Sequence, residues 1–183
     1  MIILEMDIHN VVIIPKYNSS YAEGVARNTA KLVQKRGSNV YTISPFSVEK
    51  GIVLKHLDEL SDKDIDLAIA VGGDGTTLRI VKAFPNSVPI FSIKGGGTRG
   101  ILATIDADEL DVGIEKIFSN SFLLEKRMRI HASINGMKST PALNEIFING
   151  INVVRTPTFT IKFKEDELQQ RMDGIIISTP TGS

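Results

Sequence analysis

Residues 66–77, DLAIAVGGDGTT, constrain the fold more than any other stretch of the chain. The first six are mostly small or branched apolar residues, which predicts a short strand buried on both faces. The chain then turns through Gly72, Gly73, Asp74 and Gly75. Thr76 and Thr77 are read as caps of a helix that runs on through Leu78, Ile80, Val81 and Ala83. Strand, glycine turn and helix start together make an anion cradle. Without Cβ atoms the backbone N–H groups can come close to a phosphate, and the helix N-terminus adds unpaired donors and partial positive charge. Asp74 is the odd member of that cradle, because a carboxylate repels phosphate. It belongs there if it takes a proton from an attacking hydroxyl, or helps to place Mg2+ on the phosphates. The plainer alternative is that Asp74 stabilises a glycine-rich turn, as Asp commonly does.

The flanking chain repeats this grammar. Residues 11–15 (VVIIP), 39–43 (NVYTI) and 89–93 (PIFSI) read as further buried strands. A helix is predicted from Tyr21 through Val25, Ala26, Thr29, Leu32 and Val33, with Gly37 ending it. A second helix is predicted over 48–60, although Gly51 falls inside its first turn, and another over 106–119, with Leu110, Ile114 and Ile117 on one face. Strands alternating with helices imply a parallel sheet covered on both sides, with ligands bound outside the carboxyl ends of its strands. A second glycine-rich stretch, residues 94–100 (KGGGTRG), also follows a strand. The two glycine loops should therefore open on one crevice.

After about residue 121 the pattern turns β-rich. Residues 122–134 alternate in part, Asn135-Gly136 is a two-residue hairpin signal, and 142–148, 158–164 and 174–179 are further strand candidates. The predicted organisation is an α/β nucleotide-binding domain over 1–120, followed by an all-β domain over 121–183. The second domain reads as incomplete, because the sequence reaches the polar turn STPTGS with few strands in hand.

A length of 183 residues suits one large domain or one and a half small ones. Lys plus Arg equals Asp plus Glu, at 21 each, so no net basicity points to nucleic acid. There are no cysteines, which excludes disulfides and thiolate metal sites. The three histidines, His9, His56 and His131, have no metal-ligand spacing. The N-terminal residues MIILEMDIHN lack a basic signal region, and no apolar run approaches a membrane span. A cytoplasmic location is expected, with no membrane partner.

Three motifs in order carry a resemblance: Gly72-Gly73-Asp74-Gly75-Thr76, then Asn144-Glu145 in LNEIFI, then Asp173-Gly174 leading into residues 178–183, STPTGS. The first alone is shared by phosphofructokinases, diacylglycerol kinases and sphingosine kinases. Together they make the chain resemble the ATP-NAD kinases, of archaeal type, over essentially its whole length. The resemblance implies a diacylglycerol kinase/phosphofructokinase-like α/β domain and the start of the family's β-rich NAD-binding domain. It implies phosphoryl transfer from ATP with Mg2+, or from another donor, to the 2′-hydroxyl of the adenosine ribose of NAD. In that family the GGDG aspartate accepts the proton, which falls here on Asp74. Gly75 and Arg79 then line the dinucleotide site, Asn144 and Glu145 hold the adenosine moiety, and Arg155, Arg171 and Asp173 match further charged contacts. A homodimer or homotetramer is implied as well. The chain departs from the family at Gly95, where an asparagine is usual, and at residues 99–102 (RGIL), where LGFL is usual. It also ends before the family's Thr-Ala-Tyr segment. Taken as a whole polypeptide, a chain of this length is predicted to be a weak or inactive kinase. A superfamily kinase acting on a lipid or sugar hydroxyl, or a non-catalytic NAD(P)-binding module, are the alternatives.

Overall fold

The computed structural model describes residues 5–84, 88–96, 100–151 and 156–183. They fall into two compact units, residues 1–126 and 127–183.

The first unit is built on five parallel strands: β1 (Asn10–Pro15), β2 (Asn39–Ile43), β3 (Ile52–Leu54), β4 (Leu67–Gly72) and β5 (Ile90–Lys94). Their order across the sheet is β3-β2-β1-β4-β5. β4 therefore sits beside β1, with Ile13 opposite Ile69 and Pro15 opposite Val71. All six residues of β4 are buried. Alternate residues feed two apolar layers, as strand geometry requires. Val11 and Ile13 pack with Ala22, Ala26, Ala30 and Val33 of helix α1 (Ser20–Lys35) and with Ile114 and Ile117 of helix α3 (Leu110–Phe118). Val12 and Ile14 face the opposite layer, with Leu60 and with Ile80 and Ala83 of helix α2 (Asp74–Ala83). α1 starts where Ser19 accepts a hydrogen bond from the Ala22 N–H at 3.3 Å. It ends before Gly37, whose φ of +88° suits a residue without Cβ. At the entry to β4 the Asp66 carboxylate accepts from the His9 and Asn10 amides at 2.8 Å, tying the starts of β4 and β1 together.

The structure corrects two local expectations here. Residues 48–60 do not form a helix. Ile52–Leu54 is strand β3, paired with Tyr41, Thr42 and Ile43, and only Leu57–Asp62 coils, as a 3-10 helix. Apolar residues at 48, 52, 53, 57 and 60 mimic helical spacing, but Lys50 adopts φ +55°. A Cβ on Gly51 would stand 2.6 Å from the Val48 side chain. The β-branched pair Ile52-Val53 prefers the sheet edge that β2 offers. The second correction concerns the start of α2. Its N-cap is Gly73 and Asp74 is its first residue, whereas Thr76 and Thr77 are buried within the first turn.

In the second unit strands pair antiparallel. β6 (Ser133–Ile134) and β7 (Met137–Lys138) make a hairpin turned by Asn135 (φ 51°) and Gly136 (φ 82°). β8 (Glu145–Asn149) pairs with β11 (Gly174–Ser178), and β9 (Thr158–Phe163) with β10 (Asp166–Arg171). Residues 122–134 contribute little strand beyond β6 and isolated bridge positions at Leu124 and Ile130, the latter paired with Ala142. β10 was not expected, since DELQQR has no apolar alternation. The β8–β11 ribbon carries apolar residues on both faces: Ile146, Ile148, Ile175 and Ile177 on one, Phe147 and Ile176 on the other. Among the described residues no helix is long and apolar enough to cross a membrane.

Candidate functional site

The central turn lies at the carboxyl end of β4, the position at which open parallel sheets bind ligands. It is joined directly to the second glycine loop. The Gly95 amide donates to the Gly72 carbonyl at 3.2 Å. A Cβ on Gly95 would sit 2.8 Å from Gly72 Cα, so the two backbones touch because residue 95 has no side chain. Residues 97–99 lie outside the described residues, and with them Arg99. Lys94, the last residue of β5, has its ammonium 3.2 Å from the Asp106 carboxylate.

Asp74 fastens the same two loops. Its Oδ2 accepts from the Ile101 amide at 3.1 Å and its Oδ1 from the Leu102 amide at 3.0 Å. Gly100 lies against it: a Cβ there would be 2.0 Å from Oδ1. Each carboxylate oxygen has two acceptor sites, so one on each remains after these bonds. The acid therefore stands at the N-terminus of a ten-residue helix, oriented by two amides and half-buried, with capacity left for a substrate hydroxyl.

The glycines of the turn divide into two kinds. Gly72 is required by packing, since a Cβ there would lie 2.4 Å from Thr76 Oγ1. Among the described residues, their chain neighbours and the helix's own backbone apart, Gly73 and Gly75 have no heavy atom within 4 Å of a Cβ position, and neither has a positive φ. Glycine costs up to about 1 kcal/mol relative to alanine in a helix. Among the described residues nothing packs against Gly75 to offset that cost, and a bare backbone there leaves room for close approach of a ligand. Arg79, one turn on, stacks over the Tyr17 ring at 3.8 Å and donates through Nη2 to the Pro15 carbonyl at 3.4 Å.

The remaining candidates lie in the second unit. Asn144 sits just before β8, and its Oδ1 is buried with no hydrogen-bond partner among the described residues. Its carbonyl receives the Thr179 amide at 2.7 Å, and a Cβ on Gly182 would lie 2.4 Å from that carbonyl oxygen. The turn over 179–183 is held by Thr179, whose buried hydroxyl donates to the Leu143 carbonyl and accepts from the Thr181 and Gly182 amides. Glu145 is exposed and opposite Ser178. Asn144, Glu145 and the TPTGS turn are thus brought together. Arg171 and Asp173 are not brought to them. Arg171 donates to the Thr156 carbonyl at 3.3 Å, and the Asp173 carbonyl receives the Gly150 amide, at the far end of the β8–β11 ribbon. Gly150 is roughly 17 Å from Glu145 at the rise per residue of a strand. Arg155 lies outside the described residues. Sequence reasoning did not find Tyr17, Gly100 or the Ile101 and Leu102 amides. An aromatic residue just after β1 was a signal for the first, but backbone donors leave none.

The family model of the ATP-NAD kinase N-terminal domain matches residues 11–122. The chain belongs to the ATP-NAD kinase family. Curated relatives include an NAD kinase of Thermococcus sibiricus, 35% identical over 75% of this chain and 48% of that protein. Another is an NAD kinase of Methanospirillum hungatei, 33% identical over 95% of this chain and 63% of that protein. The chain spans about half the length of the first curated relatives it matches. A yeast NADH kinase solved with NADH superposes with a TM-score of 0.81 at 22% identity, over 96% of this chain and 58% of that one. An Archaeoglobus fulgidus NAD kinase solved with ATP superposes at 0.70 and 23% identity, over 94% and 61%. These two likenesses establish the fold: a parallel α/β unit followed by antiparallel strands.

Proposed function

We propose that the chain carries the phosphoryl-transfer centre of an NAD kinase. The ribose 2′-oxygen of NAD attacks the terminal phosphorus of ATP or another phosphate donor. The bond to the bridging oxygen breaks, the rest of the donor leaves (ADP when the donor is ATP), and the proton of the hydroxyl passes to the Asp74 carboxylate. The observation that carries the proposal is the setting of Asp74: an amide-oriented carboxylate at a helix N-terminus, flanked by Gly73 and Gly75, beside which the described residues leave open space. A ribose hydroxyl is a weak nucleophile, and a base that takes its proton late in a loose transition state contributes about 10²–10⁴-fold.

In this reading Gly75 lets the dinucleotide approach and Arg79 offsets pyrophosphate charge. Asn144 and Glu145 receive the adenosine, which suits the unpartnered Asn144 Oδ1, an acceptor in want of a donor such as an exocyclic amine. Arg155, Arg171 and Asp173 complete the charged contacts. Among the described residues no group of three His, Asp or Glu side chains is set to hold a metal. Mg2+ would therefore be carried mainly by nucleotide phosphates and water, as Mg2+ commonly is. A cytoplasmic location and a homodimer or homotetramer belong to the same reading, the latter checked by sedimentation. The test of the function is formation of NADP from NAD, ATP and Mg2+. Asp74→Asn, which keeps one amide acceptor, is expected to lose most turnover while NAD binding survives. Undiminished turnover in that variant discards the base assignment. NAD binding with no turnover in the unaltered chain favours the binding-module alternative.

A further inference from the structure

Arg79 is held in a manner that the glycine turn does not require. Its guanidinium lies over the Tyr17 ring, 3.8 Å from the centroid, and only Nη2 has a modest bond, to the Pro15 carbonyl. Its Nε is buried and has no acceptor among the described residues. Burial pushes the guanidinium below its ordinary pKa, and the interaction with Tyr17 acts against that. Arg79 and Tyr17 line one cleft with Lys16, Asn18, Glu23 and Phe46, at the carboxyl ends of β1 and β2. Tyr17 itself remains 56% exposed, in a polar loop where its ring gains little from burial. What the ring does gain is the stack. A cation over an aromatic face is attracted by the ring quadrupole, most strongly where water is partly excluded. A guanidinium fixed in plane loses less freedom when it forms forked bonds to a phosphate.

We propose that Tyr17 is a positioning residue, whose ring holds the Arg79 guanidinium flat at the edge of this cleft, where a phosphate group of the dinucleotide supplies the acceptor that the side chain lacks. This rests on Arg79 being a dinucleotide contact, as read above. Tyr17 needs no contact with NAD to act; it acts through Arg79, and its aromatic face matters rather than its hydroxyl.

The test is calorimetric titration of NAD into the 183-residue chain and into Tyr17→Leu, Tyr17→Phe, Arg79→Ala and the Tyr17→Leu/Arg79→Ala double variant, with thermal unfolding to check that each is folded. Tyr17→Leu is expected to weaken NAD about fivefold, the scale of a partly desolvated cation–π stack. Tyr17→Phe should restore affinity to within about twofold, because the ring face is kept. In the Arg79→Ala background Tyr17→Leu should change nothing more. Tyr17→Leu binding NAD like the parent, or weakening it equally with Arg79 gone, overturns the proposal while leaving Arg79 as a contact. Arg79→Ala binding like the parent, or a parent chain that takes up no NAD, overturns the contact itself and this inference with it.

Discussion

Gly100→Ala is the most informative single change. The new methyl would lie 2.0 Å from Asp74 Oδ1, 2.5 Å from its Cγ and 2.8 Å from Oδ2. Ordinary contact begins at 3.4 Å, so the carboxylate or the loop must retreat by about 1.4 Å. A shift of that size takes the Ile101 and Leu102 bonds, now 3.1 and 3.0 Å, outside hydrogen-bond range. Bonds to a charged group contribute about 1.5–3 kcal/mol each when buried. Asp74 is half-buried, so about 2 kcal/mol for the two together is the discounted figure. For a unit of this size that lowers the melting midpoint by about 7 °C. The assay is scanning calorimetry on the parent, Gly100→Ala, Asp74→Ala and the double variant. Asp74→Ala removes the three atoms nearest the methyl, so Gly100→Ala should cost less than about 0.5 kcal/mol in that background. An unchanged midpoint in Gly100→Ala refutes the reasoning. So does strict additivity in the double variant, since it would mean that the methyl and the carboxylate never met.

The two kinds of glycine in the turn should respond oppositely to alanine. Gly75→Ala, with open space around its Cβ, should leave stability unchanged or raise it by up to about 1 kcal/mol, while weakening NAD and ATP in a titration; unaltered affinity would leave that glycine without a ligand to explain it. Thr179→Val removes a buried hydroxyl that serves one carbonyl and two amides. It should cost about 2 kcal/mol and speed hydrogen exchange at the Thr181 and Gly182 amides, leaving the first unit's exchange as it was.

Much of the first unit was legible because its sheet is parallel and buried. Runs such as VVIIP and LAIAV have no polar face to confuse the reading, and Gly37 and Gly72 mark real ends of elements. Residues 48–60 misled because a short edge strand and a 3-10 turn can reproduce helical spacing. Their conformation was decided by β2, a partner remote in register from any local signal. β10 was invisible for the opposite reason. All six of its residues are exposed, and it is a strand because β9 lies opposite, beyond a turn in which Lys164 takes φ +54°. In the site, Asp74 stood out because an acid amid glycines conflicts with phosphate binding. Its donors could not be read, since every residue has an N–H and only the fold selects those of Ile101 and Leu102. Tyr17 passed as loop because a stack on Arg79 requires β1 and α2 to be neighbours.

The ribbon of β8 and β11 offers water no preferred side. Phe147 and Ile176 are 60% and 64% exposed, and across the strands Ile148 and Ile177 are 44% and 49%. A strip greasy on both surfaces, with no third strand along its edges among the described residues, is a seed for self-association. Light scattering by this chain should therefore climb with protein concentration well before the first unit loosens, and a charged substitution at Phe147 is the place to quiet it.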